Sequence, residues 1–143
     1  MLKGVPAIIS PELIKILMEM GHGDELVIAD GNFPSAALAG RLARCDGHNV
    51  PELLDAILKF FPLDTYVESP VALMSVVQGD PIKPVIWDTY REIVKKHEPK
   101  AGINYVERFA FYERAKSSYA IIATGEMALY ANIILKKGVV TEG

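Results

Sequence analysis

Two hydrophobic rhythms alternate along this chain. After Ser10-Pro11, a pair suited to capping and starting a helix, Leu13, Ile14, Leu17 and Met18 fall on one helical face, and Gly21 marks a stop. Residues 25–30 (E-L-V-I-A-D) instead make a short unbroken apolar run between turn residues, which predicts a buried strand. A loop over 31–34 and a short Ala-rich helix over 35–41 follow. The stripe Leu53, Leu54, Ile57, Leu58 and Phe61 predicts an amphipathic helix over 51–61, and 71–77 reads as a second buried strand. Ile86, Trp87, Tyr90, Ile93 and Val94 form a third helical stripe that Pro99 ends. A short strand over 104–107, a helix over 109–116 and strands over 119–124 and 132–135 complete the pattern. Helices alternating with continuous apolar strands favour an α/β fold, a three-layer α/β/α sandwich whose largely parallel sheet is covered on both faces. No repeat, low-complexity stretch or linker interrupts 1–143, so the chain reads as a single domain.

Composition narrows the function classes. Half of the 143 residues are apolar and 23% are charged, as in an ordinary globular protein, so disordered, collagen-like and disulfide-framework readings fail. The 15 basic and 18 acidic residues leave a net charge of −3 with no basic stripe, which argues against nucleic acid as a partner. Cys45 is the sole cysteine; it has no internal partner and suggests a reducing compartment. His22, His48 and His97 lie far apart without ligand spacing, so no metal site is expected. The most apolar window, 117–135, carries Glu126 near its middle and Thr124-Gly125 beside it, and the apolar stretch near the N-terminus is too short for a signal-peptide core. No membrane span is expected, and the location implied is cytoplasmic. A mean hydropathy of +0.20 is high for so small a domain. It fits either a well-filled core or apolar area shared between subunits.

Four segments could carry chemistry. In Gly21-His22-Gly23-Asp24 two glycines leave an imidazole uncrowded, and histidine is the side chain most easily poised for proton transfer near neutral pH; a polar turn with an incidental histidine is the alternative. Asp30 ends an apolar strand just before a loop, where ligands of parallel sheets collect, although a loop carboxylate or cap would look the same. Residues 108–114 (R-F-A-F-Y-E-R) mix cations with aromatics: Arg108 offers rigid donors and an aromatic face can stack on a sugar ring, whereas Glu113 and Arg114 read as a solvated helix edge. Thr124-Gly125-Glu126 is followed by Tyr130-Ala131-Asn132, whose hydroxyl, amide and carbonyl groups suit a polyhydroxylated ligand. The Gly-rich nucleotide fingerprints and the hydrolase nucleophile elbow are missing from the sequence.

Taken in order, M-L-K, I-S-P-E-L, M-G-H-G-D-E, the Asp30 position, N-F-P, R-F-A-F-Y-E-R-A, A-T-G-E, L-Y-A-N and I-I-L-K-K-G-V resemble the ribose pyranase and fucose mutarotase family over essentially the whole chain. R-F-A-F-Y-E-R-A is similar to the fucose branch; the ribose branch has a histidine where Arg108 stands. The resemblance implies a small α/β sandwich assembled into a ring of identical subunits, usually a decamer. It implies interconversion of sugar forms without metal or organic cofactor, with L-fucose or D-ribose as the monosaccharide. The family's proton-donor histidine falls on His22, its substrate-contacting aspartate on Asp30, its branch-specific basic residue on Arg108, and its sugar loop on Tyr130, Ala131 and Asn132. Ala131 is a ribose-type residue in that loop, so the resemblance leaves substrate preference divided. The site is expected near a subunit boundary. A ribose pyranase and a non-catalytic sugar-binding protein are the alternative readings.

Overall fold

A computed structural model describes residues 1–142. The strands β1 (Glu25–Ala29), β2 (Leu42–Cys45), β3 (Val71–Met74), β4 (Ile103–Val106), β5 (Ala120–Thr124) and β6 (Ile133–Lys136) form one sheet in the order β2-β5-β1-β6-β3-β4. The pairings β1–β5, β2–β5 and β3–β4 are parallel, and β6 runs antiparallel to both β1 and β3. The sheet is therefore mixed, with its one reversed strand set between parallel neighbours. A strand that is apolar on both faces does not reveal its direction, which is why the sequence pattern alone does not disclose the reversal.

Side chains from successive strand positions enter opposite cores. Leu26, Ile28, Ile122, Ile133 and Leu135 pack with Leu13 and Leu17 of α1 (Pro11–Glu19), Leu53 and Ile57 of α3 (Val50–Leu58) and Tyr90 of α4 (Ile86–His97). Val27, Ala29, Ile121 and Ile134 pack with Phe111 and Ala115 of α5 (Arg108–Lys116) and with Phe33, just before the short α2 (Ser35–Leu38). Burial on both faces explains the unbroken apolar runs of β1 and β5. Each large aliphatic side chain removed from water there contributes about 1.5–3 kcal/mol.

Several boundaries differ from the sequence reading. Ser10 does cap α1, its hydroxyl accepting from the Leu13 amide at 3.1 Å. The helix ends at Glu19 with an extended Met20, so Gly21 is not the stop. Met18 is 80% exposed and does not belong to the buried face, which centres on Leu13 and Leu17 one turn apart. The helix expected over 35–41 stops at Leu38. Edge strand β2 follows, alternating exposed Leu42 and Arg44 with buried Ala43 and Cys45. Only four residues long and carrying Arg44 in its middle, β2 lacks the continuous apolar signal that marks the inner strands. Arg114 is not a solvated edge either: half-buried, its guanidinium grips the Glu25 carboxylate at 2.6–3.1 Å and ties α5 to the start of β1. No helix among the described residues is long and apolar enough to cross a membrane.

Candidate active site

Because β6 is reversed, its N-terminal end lies at the same edge of the sheet as the C-terminal ends of β1, β3, β4 and β5. That topology gathers Asp30 after β1, Met74 at the end of β3, Arg108 after β4, and Tyr130 and Asn132 before β6. They line one cleft of about 240 Å³. This is below the ~300–1,000 Å³ of sites for drug-sized ligands, a suitable scale for a small ligand. Asn32 and Asp80 add polar groups, and Phe33, Val77, Tyr112 and Leu129 an apolar wall.

Asp30 is 7% exposed. Its own amide donates to the Asn132 side-chain oxygen at 2.7 Å, which fastens the start of β6 to the end of β1. Its carboxylate accepts the Asn32 amide at 3.0 Å. Burial pushes its pKa above the ordinary carboxylate value; the amides of Asn32, Ala131 and Phe33 pull it part of the way back, while Glu126 adds a repulsive charge. A carboxyl raised in this way is better matched to proton transfer than an ordinary aspartate.

Arg108 opens α5, which Glu107 caps by accepting the Phe109 and Ala110 amides. Its guanidinium stands 5.5 Å from the Tyr112 ring centroid and 5.4 Å from that of Phe109, within cation–π range. The Tyr130 hydroxyl donates to Asp80 at 2.7 Å and accepts from the Val77 amide at 3.3 Å. That hydroxyl is thus engaged within the protein, and the residue can offer its ring to a ligand. Ala131 is fully buried and can serve the site only through its backbone.

His22 lies elsewhere, before β1 and therefore at the opposite edge of the sheet from Asp30. The five-residue strand alone separates its own end Cα atoms by about 13 Å. Its turn is held by the Asp24 carboxylate, which accepts the Gly21 amide at 2.8 Å, and by Gly23, whose φ of 87° needs a glycine. The imidazole is 41% exposed and meets the buried Asp64, Nε2 to Oδ1 at 3.0 Å, with the Tyr66 ring 5.1 Å away. Burial works against ionising Asp64, but the Tyr66 amide and His22 outweigh it, and its pKa falls below the ordinary value. An ionised carboxylate only accepts, so in this pair Nε2 is the donor.

The sequence offered little sign of Asp64 or Asp80, lone aspartates in turns. Thr124-Gly125-Glu126 proves to be a structural junction. Thr124 donates to the Ala29 carbonyl at 2.7 Å, and the Glu126 carboxylate accepts the amides of Val50, Met127 and Ala128. A Cβ on Gly125 would come within 2.0 Å of the Asp46 carbonyl oxygen. Among the described residues no group of three His, Cys, Asp or Glu side chains is placed to hold a metal ion.

A single mixed sheet whose strand ends converge on a small polar cleft defines a compact α/β small-molecule protein. The family described as the RbsD / FucU transport protein family matches residues 3–140, and the chain belongs to it. It is 53% identical to the fucose mutarotase of Danio rerio over 97% of this chain and 94% of the relative. It is 50% identical to the L-fucose mutarotase of Actinobacillus pleuropneumoniae over 97% of each chain. Its fold superposes on the crystal structure of the fucose mutarotase from Streptococcus pneumoniae in complex with L-fucose, with a TM-score of 0.93 and 60% identity, covering 98% of this chain and 100% of that one.

Proposed function

We propose that this protein is a cofactor-independent isomerase that interconverts the α and β anomers of L-fucose by acid–base opening and reclosure of the ring. The observation that carries this reading is the divided lining of the cleft. Asp30, Asn32, Arg108 and Asn132 offer polar groups to hydroxyls, while Met74, Val77 and Leu129 offer an apolar wall to the methyl group that distinguishes a 6-deoxy sugar.

The chemistry needs a proton given to the ring oxygen and one taken from the anomeric hydroxyl, then rotation about one carbon–carbon bond and reclosure on the other face. A spontaneous rate on the order of 10⁻³ s⁻¹ corresponds to a barrier of roughly 21 kcal/mol. One positioned acid–base group lowers that barrier by about 2.7–5.5 kcal/mol, the equivalent of 10²–10⁴-fold. Asp30 accepts or orients the anomeric hydroxyl, and Arg108, Tyr130 and Asn132 hold the rest of the ring. His22, oriented by Asp64, is the proton donor. Since His22 and Asp30 of one chain face opposite edges of the sheet, His22 reaches the cleft of a neighbouring copy.

On this reading the working form is a ring-shaped homodecamer in the cytoplasm, each subunit a three-layer sandwich. The exposed apolar residues support an assembly of that kind: Tyr66 and Val67 lie on the segment beside His22, and Val77, Phe109 and Leu129 at or beside the cleft.

Saturation-transfer NMR on the anomeric protons of L-fucose and D-ribose tests the activity. The wild-type protein is expected to accelerate L-fucose α/β exchange more than ribose pyranose–furanose exchange. Binding of L-fucose without faster exchange would make it a sugar-binding protein instead. Arg108→His is expected to lose more activity on fucose than on ribose, by about 1–3 kcal/mol in relative terms, because a histidine cannot present the guanidinium's fork of donors. Equal losses on the two sugars would reduce Arg108 to a general contact.

A further inference from the structure

Tyr130 is the only non-glycine among the described residues with a positive φ, 57°. A bulky side chain held in the left-handed region persists only where its surroundings over-determine it. Helix α4 supplies much of that restraint. The Trp87 indole N–H donates to the Tyr130 carbonyl at 2.8 Å, and the Tyr90 hydroxyl donates to the Ala131 carbonyl at 2.7 Å. Positions 87 and 90 are three apart and share a helix face, so one rigid element grips two successive peptide groups.

The peptide that Trp87 grips has a second end. The Tyr130 carbonyl and the Ala131 N–H belong to one planar unit, so fixing the first fixes the direction of the second. Burial raises the Asp30 pKa, and the Ala131 amide is among the backbone groups that pull it part of the way back. The peptide that Tyr90 grips leads directly into Asn132, whose side chain lines the cleft and accepts the Asp30 amide. Tyr90 is fully buried and its phenol is pushed far above its ordinary pKa, chiefly by burial, so it stays a neutral donor. Trp87 packs at the edge of the core with its ring 5.1 Å from that of Tyr105. Neither Trp87 nor Tyr90 lines the cleft.

We infer that Trp87 and Tyr90 are positioning residues: from behind the site they set the Tyr130–Ala131 and Ala131–Asn132 peptides, and so fix the amide that faces Asp30 and the side chain that flanks it. The inference rests on the cleft being the sugar site. The groups that face or surround Asp30 besides this amide are Glu126 on the β5–β6 connection, Tyr90 on α4, Arg108 and Tyr112 on α5, Asp80 and Tyr130 across the cleft, and Arg44 on β2.

The test uses the full-length protein with Trp87→Phe and, separately, Tyr90→Phe, each of which keeps a ring and removes one donor. L-Fucose exchange is followed by saturation-transfer NMR across pH, and amide hydrogen exchange over 126–134 by mass spectrometry. Losing the hydrogen bond in Trp87→Phe is expected to lower exchange at saturating sugar roughly tenfold. It is also expected to move the acid limb of the profile upward by about half a pH unit, because an amide that favours the ionised carboxylate is no longer held in place. Tyr90→Phe is expected to weaken sugar affinity several-fold, and both variants to exchange the 126–134 amides about tenfold faster. A lower melting temperature with the pH limb, the sugar affinity and the amide protection all unchanged overturns the inference. If Trp87→Phe does not fold, Tyr90→Phe decides through affinity and protection. A wild-type protein inert toward L-fucose would overturn the proposed activity alone, and the amide protection would still decide whether α4 holds the loop.

Discussion

Replacing His22 with alanine is expected to slow L-fucose anomer exchange by at least about 10²-fold while leaving the chain folded. The imidazole sits on a surface turn and is 41% exposed, so its removal creates no core cavity. Asp64 keeps the Tyr66 amide as a partner but loses the histidine that helps to hold it ionised, so its pKa is expected to rise. The comparison is saturation-transfer NMR on wild type and variant at equal concentration, with circular dichroism to establish folding. Near-wild-type exchange in a folded His22→Ala protein would remove this residue from the mechanism.

Asp30→Asn is expected to cost a comparable factor, roughly 10²–10⁴, because the amide is nearly isosteric but takes up no proton. Stability should move the other way. Asp30 ionises less readily in the folded chain than in the unfolded one, so it contributes stability at low pH that is lost as pH rises through the ordinary carboxylate range toward its raised folded value. An asparagine has no such loss and can still accept the Asn32 amide. The melting temperature of the variant relative to wild type is therefore expected to be higher at pH 7 than at pH 3. A variant that exchanges anomers at the wild-type rate would leave Asp30 a structural cap. A variant equally shifted at both pH values would mean that its ionisation does not oppose folding.

The parts of the fold legible in the sequence are those with one dominant local cause. Ser10-Pro11 starts a helix, and the apolar runs of β1 (26–29) and β5 (120–123) are unbroken because both of their faces are covered. What stayed hidden depends on partners distant in the chain. The direction of β6 is set by strands more than a hundred and some sixty positions away in sequence, β1 and β3. Edge strand β2 buries only alternate residues, and Arg114 finds Glu25 across 89 positions.

The candidate site divides in the same way. Asp30, Arg108, Tyr130 and Asn132 come together because each adjoins the end of a strand that reaches one edge. His22 lies at the other edge, and the acidic partner it meets, Asp64, is 42 positions away with no motif around it. Asp80 was equally silent, being a turn aspartate until the Tyr130 hydroxyl reaches it. The commitment of that hydroxyl to Asp80 and Val77 is a property of the folded loop that no residue type announces.

The placement of His22 and Asp30 at opposite ends of β1 has a genetic consequence. If every site takes its acid from one chain and its carboxylate from the next, two inactive proteins can repair one another. A chain carrying His22→Ala still brings an intact Asp30 half-site, and a chain carrying Asp30→Asn still brings an intact His22. Dissociated and reassembled together in equal amounts, they should form a mosaic in which about a quarter of the sites join two intact halves and another quarter join two defective ones, as random neighbours around a closed ring require. Activity would then reappear on mixing two silent preparations, whereas co-expressing either variant with the wild type would lower activity only in proportion to the variant's share of the chains.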